Sequence, residues 1–359
     1  MIYKPPSSRD KVPALDEPAE AASEDLWFLP GPPAEEPDDL PPGPSPGPGA
    51  APRTHPDETA LIAGWQQAEA GEAARLARVA GRLGALDDRL RRGPEGWRHR
   101  LALIEAADLS WVFGDRITPD RLALWTALRL AGVQEDTAAL ARAAWAVRRL
   151  TAGPSPETGL ADFLGRHDPE YPDDEADRFS DRADSWLGLM GAAHALHPIT
   201  RACMGYHLWA LAGLGPQGDR IEAAVTAARI AASEGQGAVF APLVTGGAGG
   251  LRAGGPPAER LAPWLDGMAR AILTAMRQLD AIEAWEVRAR AAMAPLSGRT
   301  PPALRAVLTE WPFVSAPMAE ALTGSSRAAV QRNLTWMERQ GLIREVTGQG
   351  RFRMWRAAD

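Results

Sequence analysis

From residue 58 to residue 293 the apolar residues recur three and four positions apart, and the every-second-residue alternation of strands is almost absent before Ile343. A chain patterned this way buries its apolar faces as helix against helix, so the expected class is mainly α. The first periodic run, ETALIAGWQQAEAGEAARLARVAGRLGALDDRLRRG, is apolar at helical spacing from Leu61 to Leu90 and is stopped by Gly93. GWRHRLALIEAADLSWVFG reads as a second helix. TPDRLALWTALRLAG reads as a third, with Thr118 as cap, Pro119 in its first turn and Gly132 as stop. EDTAALARAAWAVRRLTAG reads as a fourth, and helical pattern returns near 176–196, 200–213 and 218–233. The glycines and prolines of GQGAVFAPLVTGGAGGLRAGGPP exclude a regular helix there, and its part GGAGGLRAGG reads as a mobile connection. A long helix follows from Pro257 to Met293. Its stripe of Leu261, Leu265, Met268, Ile272, Ala275, Leu279 and Ile282 reads as core or as a dimer seam.

Four segments follow from this pattern: a Pro/Gly-rich acidic tail at 1–57, expected to be disordered; an all-helical body at 58–256; a connecting or dimerisation helix at 257–298; and a C-terminal unit at 299–359. The tail carries one apolar island, Leu26 to Leu29, which reads as a patch that docks on the body or binds a partner. Cys203 is the single cysteine, which excludes a disulfide framework and a cysteine metal cluster and suits a reducing compartment. With no apolar run of membrane length, the expected location is the cytoplasm, with no membrane partner. A net charge of -7 argues against a protein that coats nucleic acid everywhere, but leaves room for a basic module within an acidic chain. The two lysines among 39 basic residues reflect coding bias before chemistry.

The last sixty residues say most about function. PPALRAVLTEW is a helix opened by proline. FVSAPMAEALTG has Ser315 as N-cap and Gly324 as stop. SSRAAVQRNLTWMERQG is a helix capped by Ser325 or Ser326 and ended at Gly341. LIREV, the tight TGQG and RFRMW then form a hairpin, with Gly348 and Gly350 in its turn. Helix, helix, short turn, helix and hairpin is the plan of a winged helix-turn-helix domain. Its expected core is Leu304, Val307, Leu308, Val314, Met318, Ala319, Leu322, Ala329, Val330, Leu334, Met337, Leu342, Ile343 and Phe352.

In that plan the third helix reads DNA. Ser325, Ser326, Arg327, Gln331 and Arg332 sit on its N-terminal part; Arg pairs with guanine and Gln with adenine, while serines and helix amides hold phosphates. Arg351 and Arg353 alternate with Phe352, which predicts both arginines outward as backbone or minor-groove contacts. From Arg299 to Asp359 nine arginines face five acids, a local +4 inside an acidic chain. For each of these residues the plain alternative is a capped, solvated helix face, and a winged helix also serves as a protein–protein module.

LIEAADLSWVFGDRITPDRLAL, ALARAAWAVRRL and above all FVSAPMAEALTGSSRAAVQRNLTWMERQGLIREVTGQGRFRMW resemble a bacterial family common in rhizobia and other alphaproteobacteria, over residues 58–359. That resemblance implies a helical domain of unknown function joined to a C-terminal helix-turn-helix DNA-binding domain. A more distant likeness is to Fic-type AMP-transferases that carry a C-terminal winged helix. DLSWVFGD places Ser110 and Gly114 roughly as in their Ser-x-x-x-Glu-Gly inhibitory motif, with Phe113 where the glutamate belongs. HPITRACMGYH opens with His197 and Pro198 and then departs from the active loop, and Gly218, Asp219 and Arg220 are a detached echo of its anion-binding part. This likeness implies a degenerate helical relative without a contiguous phosphate nest.

Other patterns carry less. His194, His197 and His207 lack the ligand set of a zinc site, and YPDDEADRFSDRADSW lacks the calcium loop's central glycine and final glutamate. GGAGGLRAGG lacks the Gly-Lys-Ser/Thr of a phosphate loop, and no G-x-S-x-G elbow is present. Trp65, Trp97, Trp111, Trp125, Trp145, Trp186 and Trp209 fall in amphipathic helices and are expected mostly in the core. No catalytic residue, metal or cofactor is therefore expected. The sequence predicts a sequence-specific double-stranded DNA-binding protein, a transcriptional regulator. Its body would dimerise or sense a small-molecule or protein effector. The alternatives are an inactive Fic-like scaffold or adaptor and a cryptic nucleotide-using enzyme built around His197.

Overall fold

The computed structural model describes residues 56–128, 136–166, 174–215, 220–245, 247–348 and 353–358. The apolar island of the tail, the Gly132 stop, Gly218, Asp219, Gly350, Arg351 and Phe352 lie outside them. Thirteen α-helices and three short strands are described. The body holds α1 (Pro56–Gly71), α2 (Ala73–Arg92), α3 (Gly96–Val112), α4 (Pro119–Leu128), α5 (Thr137–Thr151), α6 (Leu160–Leu164), α7 (Asp174–Ala192), α8 (Pro198–Leu208), α9 (Ile221–Ala231) and α10 (Pro257–Met293). The C-terminal segment runs α11 (Thr300–Glu310), β1 (Val314–Ser315), α12 (Ala316–Thr323), α13 (Arg327–Arg339), β2 (Ile343–Glu345) and β3 (Met354–Ala357). The protein is thus mainly helical, with a small open sheet at its C-terminal end.

Local chemistry sets these boundaries. The first periodic run is two helices, because the chain breaks at Glu72 between α1 and α2, where Gly71 weakens the helix. Asp136 caps α5 by accepting from the amides of Ala138 and Ala139 at 2.8 and 3.3 Å. The α10 stripe of Leu261, Leu265, Met268, Ile272, Ala275, Leu279 and Ile282 is buried within this chain, which makes it core and not an open seam. Helices α1, α2, α3 and α8 all lean on α10. Between α2 and α10, Arg89 reaches Asp280 at 2.7 Å and Glu283 at 2.9 Å, but both acids are over half exposed, so each pair contributes roughly 1 kcal/mol or less. The buried Leu76, Val79, Leu86 and Leu90 of α2 contribute about 1.5–3 kcal/mol each, so the apolar seam dominates.

The stretch after α9, ahead of GGAGGLRAGG, is pinned to α2 and α3. Asp87 of α2 accepts from the amides of Gln236, Gly237 and Ala238 at 3.3, 2.8 and 2.7 Å. Glu105, fully buried on α3, accepts from Leu243 N and Val244 N at 2.7 and 3.0 Å, and from Thr245 N and Thr245 Oγ1 at 3.1 and 2.6 Å. Two carboxylates thus replace the ladder bonds that a loop inside a core would lack. Glycine is required where the loop meets α2: a Cβ on Gly237 would stand 2.1 Å from the Asp87 carbonyl oxygen. Core tryptophans Trp65, Trp97, Trp186 and Trp209 are buried as expected, while Trp111 is 53 % exposed and donates Nε1 to the Ile117 carbonyl.

Replacing Glu105→Ala leaves three core amides without an acceptor, and the expected loss is on the order of 3 kcal/mol in urea unfolding. A loss within about 0.5 kcal/mol would show that the loop is held by other means.

Candidate nucleic-acid interface

The C-terminal segment is built on a three-helix core. Leu304, Val307, Leu308, Val314, Ala319, Val330, Leu334, Met337 and Ile343 are buried, and Met318, Ala329 and Leu342 are half-buried. Leu322 corrects the expected core: in the last turn of α12 it is 50 % exposed, on the side of that helix away from the buried Ala319. The strand order is β1-β3-β2, all antiparallel, with Val314 opposite Trp355 and Arg344 opposite Arg356. Strand β1 has two residues and no alternation to betray it; β2 falls within the expected LIREV, while β3 shares Met354 and Trp355 with the expected RFRMW and runs on to Ala357. Trp355, 1 % exposed, anchors β3, and Gly348 takes φ 63° where the chain turns.

The connection between α12 and α13 is tight. Ser315 caps α12 by accepting from Met318 N at 3.3 Å, Gly324 ends it at φ 60°, and Ser326 caps α13 by accepting from Ala329 N at 3.4 Å. Ser325 is buried, and its hydroxyl lies 3.0 Å from that of Thr300, so it locks the turn to α11 and faces no ligand. Val330, Leu334 and Met337 turn one face of α13 inward. The opposite face carries Arg327, Gln331 and Arg332, all exposed, with Arg339 a further turn or two on. None of these three arginines has an acidic partner among the described residues. Four of the segment's other arginines are spent internally. Arg305 pairs with Glu286 at 3.0 Å, Arg344 with Asp120 at 3.3 Å, Arg356 with Asp120 at 3.8 Å and Arg353 with Glu338 at 3.1 Å.

Arg353 therefore differs from the outward contact read from strand alternation. Its guanidinium meets both oxygens of Glu338 on α13 and lies 4.9 Å from the Trp355 ring centroid. Alternation sets which face of a strand a residue takes; it does not show that a helix carboxylate waits there. Asp120, which takes two arginines of the β2–β3 pair, was read only as part of a helix start.

The segment is seated on the body by directed bonds. Trp285 Nε1 of α10 donates to the Leu342 carbonyl at 2.6 Å, Trp97 Nε1 to the Thr309 carbonyl at 3.3 Å, and Arg100 to the Trp311 carbonyl at 3.0 Å.

The other candidates are not brought together. His197 caps α8, its Nδ1 accepting from Ile199 N at 3.1 Å, and its own amide donates to Glu69. His194 is exposed beside the Gly191 carbonyl. His207 lies three turns along α8, and burial, then Arg260 and Arg220, push its pKa down to about 4, so it is neutral at pH 7. No group of three or more His, Cys, Asp or Glu able to hold a metal exists among the described residues. Ser110 is fully buried and bonds the Ala107 carbonyl at 2.7 Å, which makes it part of the α3 end. No described helix is long and apolar enough to cross a membrane. No protein-family model matches the chain, and no curated protein matches it.

One ionisable pair escaped sequence reasoning because its cause is tertiary. Asp108, one turn after Glu105, is pushed up to about 6 by burial and by the Glu105 charge, against a hydrogen bond from Thr245. A raised carboxylate favours the folded state below its unfolded value, and that contribution is lost as pH climbs from about 3.8 to about 6. Urea midpoints for the wild type and Asp108→Asn between those limits are expected to diverge, with the wild type falling more steeply as pH rises. Parallel profiles would remove Asp108 from the balance.

Proposed function

We propose that the chain is a sequence-specific double-stranded DNA-binding protein, a transcriptional regulator whose C-terminal segment is a winged helix-turn-helix domain. The observation that carries this reading is the exposed face of α13: Arg327, Gln331 and Arg332 stand on the open side of a helix whose other face is buried, directly after a three-residue turn. The order helix, strand, helix, helix, strand, strand and the sheet order β1-β3-β2 fit that domain type. Arg327 and Gln331 are one turn apart, a spacing that lets both reach base edges in one major groove, and Arg332 is offset toward the backbone. The cap hydroxyl of Ser326 and the first amides of α13 suit a phosphate.

The pairing of Arg344, Arg353 and Arg356 with acids moves affinity from the wing to the helix. Few phosphate contacts then remain per copy, so this reading calls for a homodimer to raise affinity. With the α10 stripe already buried, the dimer would form on another surface. An adaptor that uses the same segment to bind a protein is the competing reading, favoured by the neutralised strand pair. The Fic-like enzyme draws no support from His197, whose ring serves as a helix cap.

Purified protein is expected to shift duplex DNA with strong salt dependence. Arg327→Ala with Arg332→Ala should weaken binding by about 2–4 kcal/mol together, at unchanged folded stability, and reduce the salt slope by about one. Selection from randomised duplexes should return a two-half-site sequence. Absence of duplex affinity at low salt would sink the reading.

A further inference from the structure

Helix α13 carries a single acidic residue, Glu338, among Arg327, Arg332 and Arg339. Seven residues separate it from Gln331. That is almost two full turns, so both share one flank of the helix, and Arg327, one turn earlier, lies on the same flank. Glu338 stands about 10 Å beyond Gln331 along the axis. A bare carboxylate there would be repelled by every phosphate within a Debye length, about 10 Å at 0.1 M salt.

The carboxylate is not bare. Arg353, the residue before β3, sets its Nη2 3.1 Å from both carboxylate oxygens of Glu338. The guanidinium lies 4.9 Å from the centroid of the Trp355 ring, and Trp355 Nε1 donates to Glu338 Oε2 at 3.4 Å. One indole thus orients both charges: its face holds the guanidinium and its edge the carboxylate. Trp355 is 1 % exposed, so this platform is fixed, while the two charged side chains are 32 and 34 % exposed and open to an approaching phosphate. The acids that pair with Arg305, Arg344 and Arg356 stand on α10 and α4; Glu338 is on the helix proposed to read DNA.

We infer that Glu338 is a built-in competitor for phosphate: its carboxylate occupies Arg353 and thereby lowers affinity for duplex DNA of any sequence. The inference rests on the DNA-binding reading. A guanidinium forms comparable charge-assisted bonds to a carboxylate and to a phosphate, so exchanging one for the other gains little. The exchange also strands the carboxylate of Glu338 beside a polyanion. One counterion-releasing contact is therefore withheld. The restraint is blind to sequence, because a phosphate carries no base identity, and it leaves base contacts from Arg327 and Gln331 untouched. Weaker phosphate binding shortens each non-cognate encounter and so speeds the search among competing sites.

The test is duplex binding by the full chain, followed by fluorescence anisotropy from about 50 to 200 mM salt, with a random-sequence duplex and with the best duplex from the randomised selection. Glu338→Gln keeps the side-chain length and an acceptor for Trp355 Nε1. It is expected to tighten both duplexes by the same factor, at least about threefold, and to steepen the slope of log K against log salt by about one. Arg353→Ala alone should give no tightening, and combined with Glu338→Gln it should remove the gain in both affinity and slope. Unchanged affinity and slope in Glu338→Gln, or a gain that persists without Arg353, would overturn the inference while the DNA reading stands. A change confined to one duplex sequence would overturn it too, since Glu338 would then be a base contact accepting from cytosine N4. Failure of both the wild type and Glu338→Gln to bind any duplex at low salt removes the DNA-binding reading itself, and this inference with it.

Discussion

The buried stripe of α10 is the constraint on which the rest of the structure depends. A helix of 37 residues is about 55 Å long, and one of this length keeps its shape in water chiefly through what covers it. From Leu261 to Ile282 the cover is the body. From Trp285 to Met293 it includes the C-terminal segment, through the bond from Trp285 Nε1 to the Leu342 carbonyl and the Arg305–Glu286 pair. One continuous helix thus serves as the core of two neighbouring parts. The seat of α13 is inherited from the packing of the body.

Charge placement decides what that seat leaves available. The segment's arginines outnumber its acids, yet four of them are paired with carboxylates, two of them sharing Asp120 from α4. What stays open is concentrated on α13. Each partly exposed pair is worth little to stability. Their larger effect is to choose which cations are left for a partner.

The connection that leaves α9 is held in place although it contains no regular helix over its first residues. Glycine and proline remove helical structure, and their abundance reads as freedom. In the fold the segment lies against α2 and α3, and Asp87 and Glu105 accept seven hydrogen bonds from it. Neither acid is conspicuous in sequence: Asp87 stands in an ordinary DDRLRR surface pattern, and Glu105 in an alanine-rich helix. Both are more than a hundred residues from the amides they hold, so spacing carries no trace of the pairing. The elevated Asp108 follows from the same burial.

By itself the sequence determined most of the helices and the order of the C-terminal elements, though not the break between α1 and α2 or the short α6, because caps, stops and three- to four-residue periodicity act within a few residues. Ser315, Gly324 and Ser326 end and start their helices as their chemistry requires, α10 spans the residues its pattern marks, and the inward face of α13 is the one its spacing assigns. Tertiary structure alone decided that Ser325 is buried against Thr300, that Leu322 is exposed, that Arg353 turns to Glu338, and that Arg344 and Arg356 both meet Asp120. Each of these depends on a partner brought from elsewhere in the chain. Electrostatic and burial free energies are set by distance in space, and local periodicity encodes only distance along the helix.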